Sequence, residues 1–279
     1  MTTLQEEFLR TFHAAHPAVT VRAMAHGKTA DGRSSYELLR DRVSACDRVL
    51  DLGCGDGLLL ELLAARPAGA PSVLAGLDLS AEELVLARRR PGLAAADLRA
   101  GRAQQLPFTD GRFDGCVSHM ALMLMGEAER VAAEVARVLA PGGTLAAVLG
   151  AGAAGGEACE SFLRLARPLF EAAPAAQRIP PLGDPRLRTL EGFDAVFRLA
   201  GFAPAEWETV RIDLTGPPEQ VWRTVGTYYD LGPLDPAVTA ELRARFEAES
   251  AARALPDGRV PCGMKVHIAT AVRGGAPEG

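Results

Sequence analysis

Short apolar runs alternate with amphipathic segments along most of the chain. The runs at residues 48–52, 73–80 and 113–118 are mainly apolar, and each contains one aspartate. Such runs are typical of parallel strands that are covered on both faces, rather than of strands with one face in water. Segments with apolar residues at helical spacing follow the runs, and this strand–helix alternation predicts an α/β protein with a mainly parallel sheet.

The same patterns place the remaining elements. Further strands are expected at residues 96–100, 144–149, 206–214 and 263–272. Helices are expected at residues 3–13, 34–43, 57–65, 127–139, 157–172, 190–200, 217–229 and 236–252. Ser80 and Glu83 have the S-x-x-E spacing of a capping box, which predicts a helix start directly after the second strand. The glycine pair after the helix at 127–139 is expected to provide its C-cap.

A glycine-rich turn follows the first strand, at V-L-D-L-G-C-G-D-G, residues 49–57. Glycine is needed where the backbone takes positive φ or comes close to a ligand. A dinucleotide fingerprint would require its third glycine at Leu58, and the Gly-Lys-Ser/Thr ending of a phosphate loop is missing. Asp78 ends the second strand, about where nucleotide-binding α/β folds place the carboxylate that binds ribose hydroxyls. The turn is therefore predicted to be a binding site.

The pattern D-x-G-x-G-x-G, from Asp51 to Gly57, resembles motif I of the class I S-adenosylmethionine (SAM) methyltransferases. Residues 101–108 are similar to the family's G-D-A-E-x-L-P-F segment, and residues 137–143 to its R-V-L-K-P-G-G turn. The resemblance covers nearly everything after the N-terminal segment. It implies a Rossmann-like α/β fold: a seven-stranded, mostly parallel sheet with helices on both faces, an N-terminal helical lid and a helical insertion after strand 6.

The expected organisation is an N-terminal lid, residues 1–47, followed by a SAM-dependent methyltransferase domain, residues 48–279. Helical insertions are expected at residues 151–203 and 216–258. Arg22, Arg33 and Tyr36 in the lid are candidates to contact the SAM carboxylate or the acceptor.

The resemblance implies SAM as cofactor, with S-adenosylhomocysteine as product, and it places the motif acid near the ammonium group of SAM. Arg102 stands where the family has an acid, and arginine cannot accept a hydrogen bond from the adenine amine. Adenine recognition is therefore expected from backbone, from Gln104 or from a group elsewhere, with Arg102 free to face solvent. The expected cofactor-binding residues are Tyr36, Asp51, Gly53, Cys54, Gly55, Gly57, Asp78, Leu79, Ala103, Gln104 and Ser118.

The sequence says less about the acceptor-binding site than about the cofactor site. His119 is a candidate general base at the end of the fourth strand, because a neutral imidazole can take a proton from a hydroxyl or an ammonium group. Trp222, Tyr228, Tyr229 and Met123 are candidates for acceptor binding, although aromatic and methionine side chains at helical spacing can equally pack in the core. The N/D-P-P-Y/F motif of nucleobase and amide methyltransferases is replaced by S-H-M-A, which disfavours those acceptors.

The preferred function is methyl transfer to oxygen or nitrogen of a small molecule, in bacterial specialised metabolism. One alternative is a SAM-dependent cyclase that forms azetidine-2-carboxylate and methylthioadenosine. Another is a SAM-binding module without catalysis. The sequence leaves open which acceptor is used and whether a base takes part.

Charge and cysteine content narrow the partners. The formal net charge is −5, which does not favour nucleic acid or an anionic membrane as partner. The five cysteines are scattered and lack the spacing of a zinc site, so no metal is expected. A basic, apolar leader and an 18-residue apolar run are missing, and a cytoplasmic monomer or homodimer is expected.

Overall fold

A computed structural model describes residues 3–66, 69–175 and 178–275. Within these ranges one seven-stranded sheet has the order β3-β2-β1-β4-β5-β7-β6. The strands are β1 (Arg48–Leu52), β2 (Val73–Asp78), β3 (Asp97–Ala100), β4 (Phe113–His119), β5 (Leu139–Ala153), β6 (Glu206–Asp213) and β7 (Gly263–Val272). Only β7 runs antiparallel to its neighbours, β5 and β6, among the described strands. The predicted mostly parallel, Rossmann-like sheet is confirmed.

Helices cover both faces of this sheet. They are α1 (Leu4–Ala15), α2 (Val19–Met24), α3 (Ser35–Arg42), α4 (Leu58–Ala64), α5 (Ala81–Ala87), α6 (Ala128–Val138), α7 (Ala158–Ala172), α8 (Leu190–Leu199), α9 (Pro218–Val225) and α10 (Pro236–Ala251). Successive residues of a strand point to opposite faces, so Val49 and Leu50 of β1 belong to two separate apolar cores. This two-sided burial explains why the strands are continuous apolar runs.

Two helices before β1 begin at residues that satisfy free backbone N–H groups. Thr3 and Glu6 form a capping box at α1, and Ser34 and Glu37 form one at α3. The sequence pattern did not predict α2, which follows Ala18 in the left-handed region (φ 58°) and has no side-chain cap. Thus α2 begins without the polar N-cap residue by which a helix start is usually recognised.

Three local predictions were wrong. The helix C-cap before the glycine pair is Leu139 in extended conformation, not glycine. Strand β5 begins at Leu139, five residues before the predicted start at residue 144, and its pairing with β4 is irregular between Leu139 and Thr144, where Gly142 has φ 78°. At α5, Ser80 accepts a hydrogen bond from the Glu83 N–H, but Glu83 does not complete a capping box. Its carboxylate instead accepts hydrogen bonds from the Ala18 N–H.

The carboxyl ends of β1, β2 and β4 lie side by side, since β1 pairs in parallel with both neighbours. Asp51, Asp78 and His119 are therefore brought to one edge of the sheet. In open α/β sheets the crevice beyond this edge is where ligands bind. None of the helices in the described ranges is long and apolar enough to cross a membrane.

Candidate functional site

The glycine turn after β1 allows close approach of neighbouring backbone. Gly53 has φ 77°, and a Cβ placed on it would lie 2.4 Å from the Ala121 Cβ. Gly55, at φ 51°, has more room, because its nearest neighbour would be 3.9 Å away. Gly57 (φ 82°) is the N-cap of α4, and a Cβ there would meet Leu93 at 2.7 Å. Gly57 thus serves helix packing, whereas Gly53 and Gly55 line a cleft.

The cleft consists of two adjoining hollows that share His13, Gly53, Asp78, Ala121 and Leu124. The hollow on the β3 side is lined by α1 and by the segment after β3. The hollow on the β4 side is lined by the glycine turn, by α3 and by the end of β4. Asp78 lies where the two hollows meet.

Asp78 organises the backbone around the cleft. Its Oδ2 accepts a hydrogen bond from the Gly55 N–H and its Oδ1 accepts one from the Ser80 N–H, both at 2.8 Å. An ionised carboxylate has about four acceptor positions, so each oxygen keeps capacity for a ligand hydroxyl. Burial raises the pKa of this carboxyl, and the two backbone hydrogen bonds oppose that rise.

Asp51 lies deeper and has no such support. It is 1% exposed, and neither carboxylate oxygen has a hydrogen-bond partner among the described residues. Burial, followed by repulsion from Asp78 and Asp56, raises the pKa of Asp51 well above its usual value. A buried carboxylate without a partner is costly unless a donor or a cation completes it. Since Asp51 lines the β4-side hollow, a cationic ligand group there would supply what the protein lacks.

The N-terminal segment covers the cleft through Glu83. The Ala18 N–H donates to both Glu83 oxygens at 2.9 and 3.0 Å, and His13 Nδ1 lies 3.2 Å from Glu83 Oε1. His13 Nε2 is also 3.2 Å from the Tyr229 hydroxyl, and the Phe12 and Tyr229 ring centroids are 4.6 Å apart. Thus α1, α5 and the segment after α9 meet above the cleft.

Polar side chains surround the β3-side hollow. Gln104 Nε2 donates to the Gly126 carbonyl at 2.8 Å, and Gln5 Nε2 donates to the Leu124 carbonyl at 2.7 Å. Arg102 was expected to be free to face solvent, but its Nε donates to Glu6 Oε1 at 2.7 Å. That ion pair attaches α1 to the segment after β3. The amide oxygens of the two glutamines are the acceptors that Arg102 cannot provide.

His119 is poorly suited to the predicted role of general base. Its Nε2 is hydrogen-bonded to the Ser35 hydroxyl at 2.8 Å, and its ring stacks on Tyr36 with centroids 3.7 Å apart. Burial lowers the pKa of His119 to about 3. An efficient base has a pKa near the working pH, so this imidazole is an uncharged wall of the cleft rather than a strong proton acceptor.

A larger apolar cavity of about 540 Å³ adjoins the cleft. Four residues line both spaces and form the boundary between them: Thr20, Met120, Leu124 and Tyr229. Met123, Tyr228, Ile179 to Leu182 and the start of α2 contribute most of the apolar wall. Two charged side chains, Arg188 and Asp230, also line this cavity.

The structure brings most of the predicted site residues to these spaces. Those that line the cleft are Tyr36, Asp51, Gly53, Cys54, Gly55, Asp78, Leu79, Ala103, Gln104 and His119. Met123, Tyr228 and Tyr229 line the apolar cavity.

Other candidates lie elsewhere. The Ser118 hydroxyl donates to the Leu52 carbonyl at 2.8 Å and accepts from the Leu122 N–H at 3.1 Å, so it connects two strand ends. Trp222 packs against Phe162 and Phe246. Arg22 is exposed on α2 and lines neither the cleft nor the apolar cavity.

Arg33 is likewise exposed and forms ion pairs with Asp31 and Asp41. The positions of Gln5, His13, Glu83, Arg188 and Asp230 at these spaces were not predicted. Glu83 had matched a capping box, and the other four carry no motif that distinguishes them from surface residues.

Comparisons with known proteins agree with this architecture. A family model described as "Methyltransferase domain" matches residues 50–147. Trans-aconitate 2-methyltransferase of Methylobacterium nodulans is 33% identical over 231 residues, which cover 80% of this chain and 85% of that protein. The chain therefore belongs to the class I SAM-dependent methyltransferases, and it is an enzyme with SAM as its cofactor.

Solved structures show the same fold. The [4+2]-cyclase SpnF superposes with a TM-score of 0.59 at 19% identity, covering 98% of each chain. Phosphoethanolamine N-methyltransferase 2 of Haemonchus contortus, in complex with phosphomonomethylethanolamine and S-adenosylhomocysteine, also gives 0.59 at 17% identity. That match covers 98% of this chain and 61% of the Haemonchus contortus protein.

The polar groups that line the cleft suit the functional groups of SAM. SAM supplies a methyl group that its sulfonium already activates for transfer. The unpaired Asp51 carboxylate suits the ammonium group, and the free acceptor capacity of Asp78 suits ribose hydroxyls. At Gly53 a Cβ would clash, so glycine keeps the turn close to Ala121. These residues are therefore candidates to bind and orient the cofactor, and the apolar cavity adjoins them.

Proposed function

We propose that this enzyme transfers a methyl group from SAM to an oxygen or nitrogen atom of a small, largely apolar acceptor bound in the apolar cavity. The observation that carries this proposal is the boundary shared by two spaces, formed by Thr20, Met120, Leu124 and Tyr229. On one side of it lies the cleft with the unpaired Asp51 carboxylate, and on the other lies a separate space of about 540 Å³. A cavity of this size is within the range of ordinary small-molecule sites.

The protein's part in such a reaction is alignment and exclusion of water. Met120 and Leu124 at the boundary favour a dry reaction zone, and a fixed acceptor lowers the entropic part of the barrier. Residues 1–47 are proposed to act as the lid, because His13 and Ala18 bond to Glu83 above the cleft. Closure of this segment would complete the site.

Asp230 is a better candidate than His119 for accepting a proton. It lines the apolar cavity and follows Tyr229, which belongs to the boundary with the cleft. Burial raises the pKa of Asp230, which makes its carboxylate a stronger base than an exposed aspartate. An acceptor that is already deprotonated would not need it.

The proposal also covers the biological role, the compartment and the oligomeric state. We infer a role in bacterial specialised metabolism, in the cytoplasm, as a monomer or homodimer. A small molecule is the acceptor named for the relative from Methylobacterium nodulans, which supports a small-molecule acceptor here.

The cyclase reaction on SAM alone remains the alternative, but it requires no second cavity. The test is incubation with SAM that carries a deuterated methyl group, alone and with a panel of acids, alcohols, phenols and amines, followed by mass spectrometry. Transfer of the deuterated methyl group with equal release of S-adenosylhomocysteine supports the proposal. Methylthioadenosine and a cyclic amino acid from SAM alone would contradict it. Asp78→Ala serves as the control with an impaired cofactor site.

A further inference from the structure

We propose that Arg188 binds a carboxylate group of the acceptor, so that the substrate class is an amphiphilic carboxylic acid. This inference rests on the proposed function, because it concerns the occupant of the apolar cavity. It assigns a specificity-determining and positioning residue. The carboxylate bound by Arg188 anchors the molecule, and a different part of the molecule faces the boundary with the cleft.

Arg188 is directed into the apolar cavity by the structure around it. It ends the short 3-10 turn Pro185–Arg188 just before α8, and its neighbour Leu187 is fully buried. Its Nη1 donates to the Met123 sulfur at 3.6 Å. Met123 is itself buried, and its sulfur also accepts a hydrogen bond from the Gly150 N–H at 3.0 Å. The guanidinium group therefore lies against a fixed apolar wall.

No carboxylate neutralises Arg188 within the part of the chain that the structure describes. Its only hydrogen bond there is the weak one to Met123, although a guanidinium group has five N–H donors. Burial lowers the pKa of Arg188, and no neighbouring charge counteracts this shift. Arginine nevertheless stays protonated in proteins, so the cavity contains a cation that lacks a counter-ion.

Arg186, two residues earlier, differs from Arg188 because it forms ion pairs with carboxylates. It is exposed and lies 2.6 Å from Asp184 and 2.7 Å from Glu129. Placing a half-buried charge without a partner is unfavourable for the free protein. A planar guanidinium group matches a carboxylate through two parallel hydrogen bonds, and an acidic ligand would therefore relieve the cost.

The two charges of the cavity are placed differently. Arg188 contacts Met123, which lines the cavity but not the cleft. Asp230 follows Tyr229, which lines both spaces. They do not form an ion pair in the described structure, since Arg188 has no carboxylate partner. An acid bound by Arg188 would thus extend its apolar part along the cavity wall toward Met120 and Tyr229.

The test compares probes that differ only in their head group. Decanoate, 1-decanol and decyltrimethylammonium are titrated by calorimetry into protein saturated with S-adenosylhomocysteine, at pH 7.5. The wild type is compared with Arg188→Met, which keeps an apolar chain of similar length, and with Arg188→Lys, which keeps the charge. Arg198→Gln, an exposed arginine on α8, is the matched control for loss of one positive charge.

We expect the wild type and Arg198→Gln to bind decanoate more tightly than either other probe. Arg188→Met should lose about 30-fold or more in decanoate affinity, as expected when one member of a desolvated charge pair is removed. Its affinity for 1-decanol should stay unchanged or increase, and Arg188→Lys should recover part of the loss. Unchanged binding of S-adenosylhomocysteine and an unchanged melting temperature would exclude misfolding.

Two results would overturn the inference. One is a wild type that does not bind decanoate better than 1-decanol. The other is an equal loss of both probes in Arg188→Met, which would indicate a role in packing alone. Because no turnover is measured, the acid preference can stand even if methyl transfer is not observed, and methyl transfer can stand without it.

Discussion

Asp51→Asn should stabilise the cofactor-free protein while weakening its binding of SAM. The side chain is 1% exposed and has no partner for either oxygen among the described residues. An unsatisfied buried polar group costs about 1–3 kcal/mol, and asparagine retains part of that cost because its amide is also unpaired. We therefore expect a gain of about 1 kcal/mol in the free energy of unfolding at pH 7.5, a rise of about 2 °C in melting temperature.

The same substitution removes the charge that suits the ammonium group of SAM. A hydrogen bond to a charged group contributes about 1.5–3 kcal/mol. The dissociation constant for SAM should accordingly rise about 10- to 150-fold, as measured by isothermal titration calorimetry. Asp51 would thus lower the stability of the cofactor-free protein while raising its affinity for SAM.

The pH dependence follows from the raised pKa of Asp51. Because the folded-state pKa lies above the value of 3.8 for an unperturbed aspartate, the folded chain binds this proton more tightly than the unfolded chain does. The resulting stability is fully present below pH 3.8 and is lost as the pH rises through the folded-state pKa. SAM affinity should change in the opposite direction, increasing with pH over that window, because the cation binds the ionised carboxylate. Asp51→Asn should flatten both profiles.

Asp56→Asn provides a matched control for stability. Asp56 is buried to a similar degree, at 6% exposed, but its Oδ2 lies 2.5 Å from Arg90 Nη2. Removing one member of a largely buried ion pair costs about 3 kcal/mol, so this variant should be destabilised. If Asp51→Asn is destabilised as strongly as Asp56→Asn, or binds SAM as well as the wild type, the reasoning about an unpaired carboxylate is wrong.

Three further predictions concern the cleft. Gly53→Ala should strongly reduce both SAM binding and stability, because its Cβ would lie 2.4 Å from that of Ala121. Gly55→Ala has no neighbour closer than 3.9 Å, so it should lose only about 1 kcal/mol of stability through its positive φ. Thermal melts of the two variants make the comparison. Burial lowers the pKa of His119 to about 3, so the pH profiles of methyl transfer for the wild type and His119→Gln should have the same inflections between pH 5 and 8. An inflection near pH 6.5 that is present in the wild type and missing in His119→Gln would show that His119 is the base. Glu83→Gln should weaken the attachment of the N-terminal segment, seen as faster hydrogen exchange at residues 4–24, and unchanged exchange would contradict its anchoring role.

The elements of the fold, and the residues that line the candidate cofactor cleft, could be predicted because they depend on local patterns. Buried parallel strands require continuous apolar runs, and the turn that carries Asp51 and Gly53 requires glycine at fixed spacing. Asp78 could be found from its position at a strand end. These features are determined by residues close together in the sequence.

The acceptor side depends on contacts between distant residues and could not be predicted in the same way. Trp222 looked like an acceptor residue, but an aromatic side chain on a helix fits a core equally well, and only its contact with Phe162 and Phe246 decides between the two. Glu83 matched a capping box, although its carboxylate bonds to Ala18, 65 residues earlier. Arg188 stands out only because no carboxylate partner reaches it in the described structure.

The central claim is that Asp51 and Asp78 together form the SAM site, one for the ammonium group and one for the ribose. Calorimetric titration of SAM into the wild type, Asp51→Asn and Asp78→Ala at pH 5.5 and 8.0 tests it most directly. We predict one site per chain in the wild type, tighter binding at pH 8.0, and a large loss of affinity in both variants. Equal affinity in all three proteins, or the absence of SAM binding by the wild type, would contradict the account.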